Sequence, residues 1–200
     1  MKNKFFTVAN FFSFLRIILT PLFMYFLFTE KPYFEILALV VFVVASITDA
    51  YDGYFARKFN TVSKFGIFLD PLADKVLMSA AFLSFVFMGM IPLWMVVVII
   101  LRDFMITGLR VYFNRKNKSM ETRKSAKIKT GSQIGVVCFI LVYIITQRWA
   151  LLAVIKEPVK HYLVDGFPGI YIIMLIVTLF TAWTGIEYLI VNRKVIFPQK

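Results

Sequence analysis

The chain has 200 residues, of which 60% are apolar and 18% aromatic, and its mean hydropathy is +0.79. Soluble proteins contain about 45 to 50% apolar residues, so this composition nearly excludes a water-soluble domain. Cys138 and His161 are the only residues of their types, which excludes an internal disulfide and argues against typical zinc and haem sites. Any metal ion is therefore expected to have oxygen ligands. The net charge of +12 fits either nucleic acid or anionic lipid.

Six apolar runs are long enough to cross a bilayer, whose hydrocarbon core of about 30 Å needs roughly 20 helical residues. In chain order they are Val8 to Phe28, Tyr33 to Phe55, Phe65 to Met88, Pro92 to Phe113, Thr130 to Gln147 and Pro168 to Val191. The first run is interrupted by Arg16 and is followed by no small-residue cleavage site, so we expect a retained span and not a signal peptide. The pattern predicts an all-α, polytopic membrane protein with six transmembrane helices, folded as one domain over residues 1–200.

The lysines and arginines lie mostly on one side of the six predicted spans. Fifteen of the 23 fall on the side that carries both termini, four fall on the other side, and four lie within spans. By the positive-inside rule, this asymmetry places both termini in the cytoplasm. We therefore expect the cations to face anionic lipid headgroups, and we expect no nucleic acid partner.

Four aspartates lie inside predicted spans, where an ionised side chain costs about 2.5 to 3.5 kcal/mol on insertion scales. Asp49 and Asp52 are spaced i, i+3, and Asp70 and Asp74 are spaced i, i+4, so each pair shares one helix face. Because a short cationic turn joins the two spans, we expect the spans to be antiparallel neighbours and all four carboxylates to converge. Carboxylate oxygens suit Mg²⁺ or Mn²⁺, and two such ions about 3.5 to 4 Å apart can clamp a phosphate during its transfer. The arrangement predicts phosphoryl chemistry with two divalent metal ions.

Two other interpretations of these carboxylates remain open at this point. They can form structural salt bridges with Arg57, Lys75 and Arg102, or they can form a divalent-cation transport site. Transporters usually carry acidic residues near the bilayer midplane, on broken helices in related halves of the chain. The aspartates here lie toward the cytoplasmic ends of their spans and have no counterpart in the last three spans, which favours an enzyme.

The residues between the aspartates favour a bulky anionic ligand. Gly53 and Ala56 leave little side-chain volume beside Asp52, and Gly66 does the same in the third span. Arg57 carries a guanidinium at the cytoplasmic end of its helix, where it can bind a phosphate in bidentate fashion. A nucleoside diphosphate group fits such a site.

The order Asp49-x-x-Asp52-Gly53-x-x-Ala56-Arg57, eight residues, Gly66, three residues, Asp70, three residues, Asp74 reproduces the signature of the CDP-alcohol phosphotransferases. The chain resembles this family over almost its whole length. The resemblance implies a six-helix, usually homodimeric membrane enzyme in which an acceptor hydroxyl displaces CMP from a CDP-linked lipid or alcohol. It further implies that Asp49, Asp52 and Asp70 ligate two metal ions, and that Asp74 binds one of them and is the catalytic base. The CDP-binding residues that it implies are Asn10, Asp52, Gly53, Ala56, Arg57 and Ser63.

Four further segments resemble one branch of the family, the bacterial members that transfer a phosphatidyl group from CDP-diacylglycerol to glycerol 3-phosphate. They are Ala73-Asp74-Lys75-Val76-Leu77, Leu101-Arg102-Asp103 with Arg110, Lys127-Ile128-Lys129-Thr130-x-x-Gln133, and Asn10-x-x-Ser13-x-x-Arg16. The resemblance implies an enzyme of the bacterial cytoplasmic membrane.

The acceptor can also be approached through its charge. A phosphate dianion needs cations, and Arg110, Lys127 and Lys129 are expected to border the active-site face. Inositol phosphate, serine and phosphatidylglycerol remain alternative acceptors.

Overall fold

The structure, a computed structural model, describes the backbone of residues 8–59, 66–116, 120, 124–149, 152–165 and 168–196. Side chains are described for these residues except 8–12, 49–59, 66–72, 74, 114–115, 124–127, 153–154, 165 and 194. Throughout the described ranges the regular structure is helical and contains no strand, so the all-α prediction is confirmed.

The described chain contains six long helices and two short ones. The long helices are α1 (Val8–Phe28), α2 (Phe34–Phe59), α3 (Gly66–Phe87), α4 (Leu93–Arg115), α5 (Lys124–Arg148) and α7 (Gly169–Val191). The short ones are α6 (Ala153–Lys160), which continues into a π-helical turn over His161–Asp165, and α8 (Arg193–Ile196). Each of the six predicted apolar runs therefore coincides with a long helix.

Two features differ from the sequence prediction. Helix α5 begins at Lys124, about two turns before Thr130, because residues 124–129 are good helix formers but not apolar enough for a hydropathy search to include them. Consequently Lys127 and Lys129 lie within a helix and not in a loop. The apolar pattern also predicts no helix for the segment that forms α6, which is too short and too polar to resemble a span.

The long helices bury some polar groups together with apolar ones and expose many large apolar side chains, whereas a water-soluble helix exposes mainly polar ones. On α7 the hydroxyl residues Thr178, Thr181 and Thr184 are buried. The opposite side of the same helix exposes Ile176, Leu179, Trp183, Ile186 and Ile190, which recur every three or four residues. We call these five residues the α7 apolar stripe. Such a surface is stable against lipid and unfavourable against water.

By length and composition, two helical segments in the described part of the chain are long and apolar enough to cross a membrane. They are Ile128–Arg148 within α5 and Gly169–Val191, the whole of α7. Three further helical segments are apolar but shorter within the described side chains: Ser13–Phe28, Phe34–Thr48 and Lys75–Phe87. Six crossings remain a prediction.

Contacts group the chain into two compact units. Unit 1 is Met1–Ser84 with Cys138–Val159, and unit 2 is Phe85–Val137 with Lys160–Lys200. Within unit 1, α1 packs along α2, and the rings of Phe23 and Phe42 meet at a centroid distance of 5.8 Å.

The same interior of unit 1 holds a polar stripe of α1. Ser13, Arg16 and Thr20 are all buried, and Arg16 is only 1% exposed. The Thr20 hydroxyl donates to the Arg16 carbonyl oxygen at 2.9 Å. Arg16 is therefore an interior residue of this unit and not an anchor that reaches the membrane surface.

A surface hollow lies at the opposite end of α2 from Asp49 and Asp52. The α1–α2 connection and the end of α5 form its walls, with Tyr33 and Trp149 in edge-to-face contact at 5.5 Å. At its base, Nη1 of Arg148 donates to Oε1 of the buried Glu35 at 2.9 Å. We call this contact the unit 1 ion pair.

Candidate active site

Helix α2 carries the first half of the aspartate motif on a single face. Its backbone is helical through Phe59, so all the motif positions from Asp49 to Arg57 belong to one continuous helix. At about 100° per residue, Asp49, Asp52, Gly53, Ala56 and Arg57 fall within roughly 140° of the helix circumference. The helix register therefore agrees with a single ligand-facing side, although the side chains of these residues lie outside the described ones.

Helix α3 carries the second half of the motif in its first turns. Gly66 is its first residue, and Asp70 and Asp74 follow at successive intervals of four, so the three positions form a narrow line along the helix. The side chains of Asp70 and Asp74 also lie outside the described residues. The convergence of the four carboxylates remains a prediction.

The two remaining residues expected to bind CDP, which lie outside α2, also have no described side chain. Asn10 is in α1 without a described side chain, and Ser63 lies in the 60–65 segment, outside the described residues.

The donor chemistry of the aspartate motif fits a hard divalent cation. Four carboxylates in a chain with one histidine and one cysteine provide oxygen ligands, which Mg²⁺ and Mn²⁺ prefer. Among the side chains that are described elsewhere in the molecule, no group of three or more His, Cys, Asp or Glu residues could hold a metal ion. The motif is thus a candidate metal site.

All three cations expected to bind the acceptor phosphate belong to unit 2, and the side chains of two of them are described. Arg110, on α4, is partly buried, and its guanidinium carbon lies 5.7 Å from the centre of the Tyr188 ring on α7. The Tyr188 hydroxyl donates to Sδ of Met120 at 3.4 Å, which helps to fix the ring. Nε of Arg110 is buried and has no hydrogen-bond partner among the described residues. The side chain of Lys127, the third cation, is not among those described.

Lys129 is buried, and a carboxylate binds it on both oxygens. Its Nζ donates to Oδ1 and Oδ2 of Asp103 at 2.5 and 2.6 Å, and the two residues are 2% and 5% exposed. We call this contact the unit 2 ion pair. Lys129 was expected to contact the acceptor, and the structure adds that Asp103 holds its ammonium group.

A second cation shares the same carboxylate. Nη1 of Arg102 lies 3.1 Å from Oδ1 of Asp103, and Nη2 donates to Oγ1 of Thr184 on α7 at 3.1 Å. A side chain at Gly185 would place its Cβ only 2.9 Å from Cγ of Arg102, so glycine at this position admits the arginine. One turn further from this contact, Nε2 of Gln133 approaches Oγ1 of Thr181 at 3.4 Å.

Sequence reasoning identified the cations of this cluster but missed the residues that hold them. Asp103 was expected only as part of a family segment or as a partner of neighbours in the fourth span, and no role was predicted for Thr184 or Tyr188. The available signal was the threonine spacing on α7, since Thr178, Thr181 and Thr184 recur every third residue of a mainly apolar helix. Hydroxyl residues in such a pattern indicate a polar seam that faces other helices and not lipid.

Comparison with known proteins agrees with the aspartate motif. A family model described as CDP-alcohol phosphatidyltransferase matches residues 6–183, which is most of the chain. The chain therefore belongs to the CDP-alcohol phosphatidyltransferase family. This is a family of membrane-embedded transferases that generally depend on a divalent metal ion.

Several similar proteins carry the name CDP-diacylglycerol--glycerol-3-phosphate 3-phosphatidyltransferase. The protein of Bacillus subtilis is 39% identical over 150 residues, which cover 69% of this chain and 78% of that protein. The protein of Cereibacter sphaeroides is 32% identical over 139 residues, or 67% of this chain and 62% of that protein. The protein of Rickettsia bellii is 33% identical over 127 residues, or 64% and 70%.

Proposed function

We propose that this protein is a phosphatidylglycerophosphate synthase, which transfers the phosphatidyl group of CDP-diacylglycerol to the 1-hydroxyl of glycerol 3-phosphate and releases CMP. The observation that carries the proposal is the helical register within each half of the aspartate motif, on α2 and on α3, in a chain of this family. The acceptor is supported by the names of the similar proteins and by the cations Arg110 and Lys129 in unit 2.

The aspartates would hold the metal, and the neighbouring residues would hold the donor. Asp49, Asp52, Asp70 and Asp74 are the proposed ligands of two divalent ions, Mg²⁺ or Mn²⁺. When bound, these ions supply the positive charge that stabilises a diphosphate and its departing phosphate. The residues proposed to bind the CDP group are Asn10, Asp52, Gly53, Ala56, Arg57 and Ser63.

The protein's own groups can then carry the proton and orient the acceptor. Arg110, Lys127 and Lys129 are the proposed ligands of the phosphate of glycerol 3-phosphate, because a phosphate dianion needs cations. Asp74 accepts the hydroxyl proton as the oxygen forms a bond to the β-phosphorus, and the bond from that phosphorus to the bridging oxygen breaks. CMP leaves with the electron pair of that bond. Carboxylates that crowd one another do not titrate independently, so the pH profile is expected to belong to the aspartate cluster as a whole.

The wider arrangement follows from the same proposal. We place the enzyme in the bacterial cytoplasmic membrane, with six crossings, both termini and the active site facing the cytoplasm, and a homodimer as the working form. The fifteen-to-four distribution of cations and the coincidence of six apolar runs with six long helices support this topology. The extent of the family match supports a single working domain.

The test is CMP release by the purified protein in detergent with CDP-diacylglycerol and Mg²⁺ or Mn²⁺. We expect turnover with glycerol 3-phosphate and little with inositol, inositol phosphate, serine or phosphatidylglycerol. CMP release that requires inositol phosphate would reject glycerol 3-phosphate as the acceptor, but it would leave the family chemistry unchanged. Absence of release with every acceptor, together with metal-ion flux through reconstituted vesicles, would favour a transporter.

The base assignment has its own variant. Asp74→Asn is expected to retain CDP-diacylglycerol binding and to lose turnover by about a thousandfold or more, because the amide cannot accept the proton and is a weaker metal ligand. Glu157→Gln, at an exposed carboxylate of α6, is the control and should keep the full rate. Normal turnover by Asp74→Asn would remove Asp74 as the base.

A further inference from the structure

The carboxylate of Asp103 holds two cations that come from different directions. Lys129, on α5, binds both of its oxygens, and Arg102, its neighbour on α4, approaches Oδ1 at 3.1 Å. Both members of the unit 2 ion pair are almost completely buried. The position of the lysine ammonium is thus set by a protein carboxylate and not by solvent.

The far end of Arg102 is itself fixed on α7. Its Nη2 donates to the hydroxyl oxygen of Thr184, and the Thr184 hydroxyl donates in turn to the carbonyl oxygen of Thr181 at 2.8 Å. The aliphatic part of Arg102 lies against Gly185, where no side chain intervenes. A continuous series of contacts therefore runs from α5 through Asp103 on α4 to α7, entirely within unit 2.

We infer that Asp103 is a positioning residue for acceptor recognition, and that it acts through Lys129. The inference rests on the proposed function, because it takes Lys129 as a ligand of the acceptor phosphate. A lysine ammonium is a point charge on a flexible four-carbon stem, so a ligand that must immobilise it loses affinity. The Asp103 carboxylate immobilises the ammonium in advance.

The charge balance of the cluster fits the same role. Arg110 lies seven residues after Asp103 on α4, about 10.5 Å along the helix axis. Arg102, Arg110 and Lys129 carry three positive charges, and Asp103 reduces their sum to two. A phosphate monoester carries about 1.5 to 2 negative charges at neutral pH, so the remaining charge, to which Lys127 would add one more, can balance the acceptor.

The experiment compares Michaelis constants for the two substrates in the purified full-length protein. Asp103→Asn keeps the size of the side chain and removes its charge. We expect the KM for glycerol 3-phosphate to rise about tenfold or more, while kcat falls less and the KM for CDP-diacylglycerol stays within about twofold. A residue that only stabilised the fold would not change one KM selectively.

A double-mutant cycle tests whether Asp103 acts through Lys129. Lys129→Met removes the ammonium and is expected to raise the same KM. Adding Asp103→Asn to Lys129→Met should then change the KM by less than about twofold, because the residue through which Asp103 acts is already absent. Additive effects of the two substitutions would overturn the inference.

The unit 1 ion pair supplies the matched control. Glu35→Gln removes another buried carboxylate that pairs with a cation, and the Glu35 and Asp103 side chains are equally exposed, at 6%. It should leave the KM for glycerol 3-phosphate unchanged. An equal rise in this control would show that the KM responds to general destabilisation, and it would also reject the inference.

A conservative variant keeps the test decisive if Asp103→Asn does not fold. Asp103→Glu retains the charge and displaces it by one methylene, so a rise of about threefold in the acceptor KM is expected. An unchanged KM in whichever variant folds would overturn the role of Asp103. Failure of the unmodified protein to release CMP with glycerol 3-phosphate is a different result, because it rejects the proposed function itself.

Discussion

The two described ion pairs between different helices differ in how far they are removed from water. In unit 2, Asp103 and Lys129 are both almost fully buried, and the carboxylate also receives Arg102. In unit 1, Glu35 is buried but its partner Arg148 keeps 30% of its side chain exposed, at the edge of a surface hollow. Burial of a charge costs free energy, so a fully buried ion pair indicates a site where a fixed charge has a functional role. An ion pair at the edge of the protein can instead be a structural contact between two helices.

Removal of the cation from each ion pair should have the largest effect on the unfolding free energy, and the size of that effect should differ between the two pairs. Lys129→Ala leaves the Asp103 carboxylate buried beside Arg102 alone and is expected to cost about 3 to 5 kcal/mol of unfolding free energy. Arg148→Ala leaves Glu35 near water, and about 1 kcal/mol or less is expected. Unfolding by SDS in mixed micelles measures both values. Equal losses would mean that the difference in burial has no energetic consequence.

A pair of glycine substitutions tests, without a change of charge, whether Arg102 needs its close approach to Gly185. Gly185→Ala places a methyl group 2.9 Å from Cγ of Arg102, so the arginine must move, and we expect a loss of about 1 to 3 kcal/mol together with a raised acceptor KM. Gly131→Ala, on α5, has no neighbouring atom within 4 Å of the new methyl group and is expected to be neutral or to gain up to about 1 kcal/mol. The same unfolding assay and CMP-release kinetics report both. If the Gly185→Ala protein were as stable as the Gly131→Ala protein, Arg102 would not need the space that glycine leaves at position 185.

The threonines of α7 give the finest comparison and the smallest expected effect. Thr184→Val removes the oxygen that accepts a hydrogen bond from Arg102, at a cost of about 1 to 1.5 kcal/mol. Thr178→Val removes only a bond from a hydroxyl to the Met174 carbonyl of its own helix and should cost less than about 0.5 kcal/mol. The measurement compares the losses of unfolding free energy in the two variants. A larger loss for Thr178→Val would contradict the importance of the Arg102 contact.

The sequence predicted the helices well because length and apolarity determine them. The run from Val8 to Phe28 and the helix Val8–Phe28 have identical ends. The start of α5 at Lys124 was missed, because the helix continues beyond the apolar run into polar residues that hydropathy does not mark as helical. The amphipathic α6 was missed because it is too short and too polar to resemble a span.

The candidate site was predictable where chemistry depends on spacing along one helix. The motif from Asp49 to Arg57 needs only a continuous helix to share a face, and α2 provides one. The partner of Lys129 was not predictable in this way, since Asp103 lies 26 positions away on another helix. No local pattern encodes which of several interior carboxylates a lysine will meet, because tertiary packing decides it.

The α7 apolar stripe has a practical consequence for the protein outside its native membrane. Trp183, Leu179 and Ile176 each expose about 60% or more of their surface along one side of a helix. Detergent must cover this side during purification, because water contact with it favours self-association. Chromatographic masses measured at low detergent concentration will include molecules joined through this stripe, so the subunit number is best counted in nanodiscs or at several micelle concentrations.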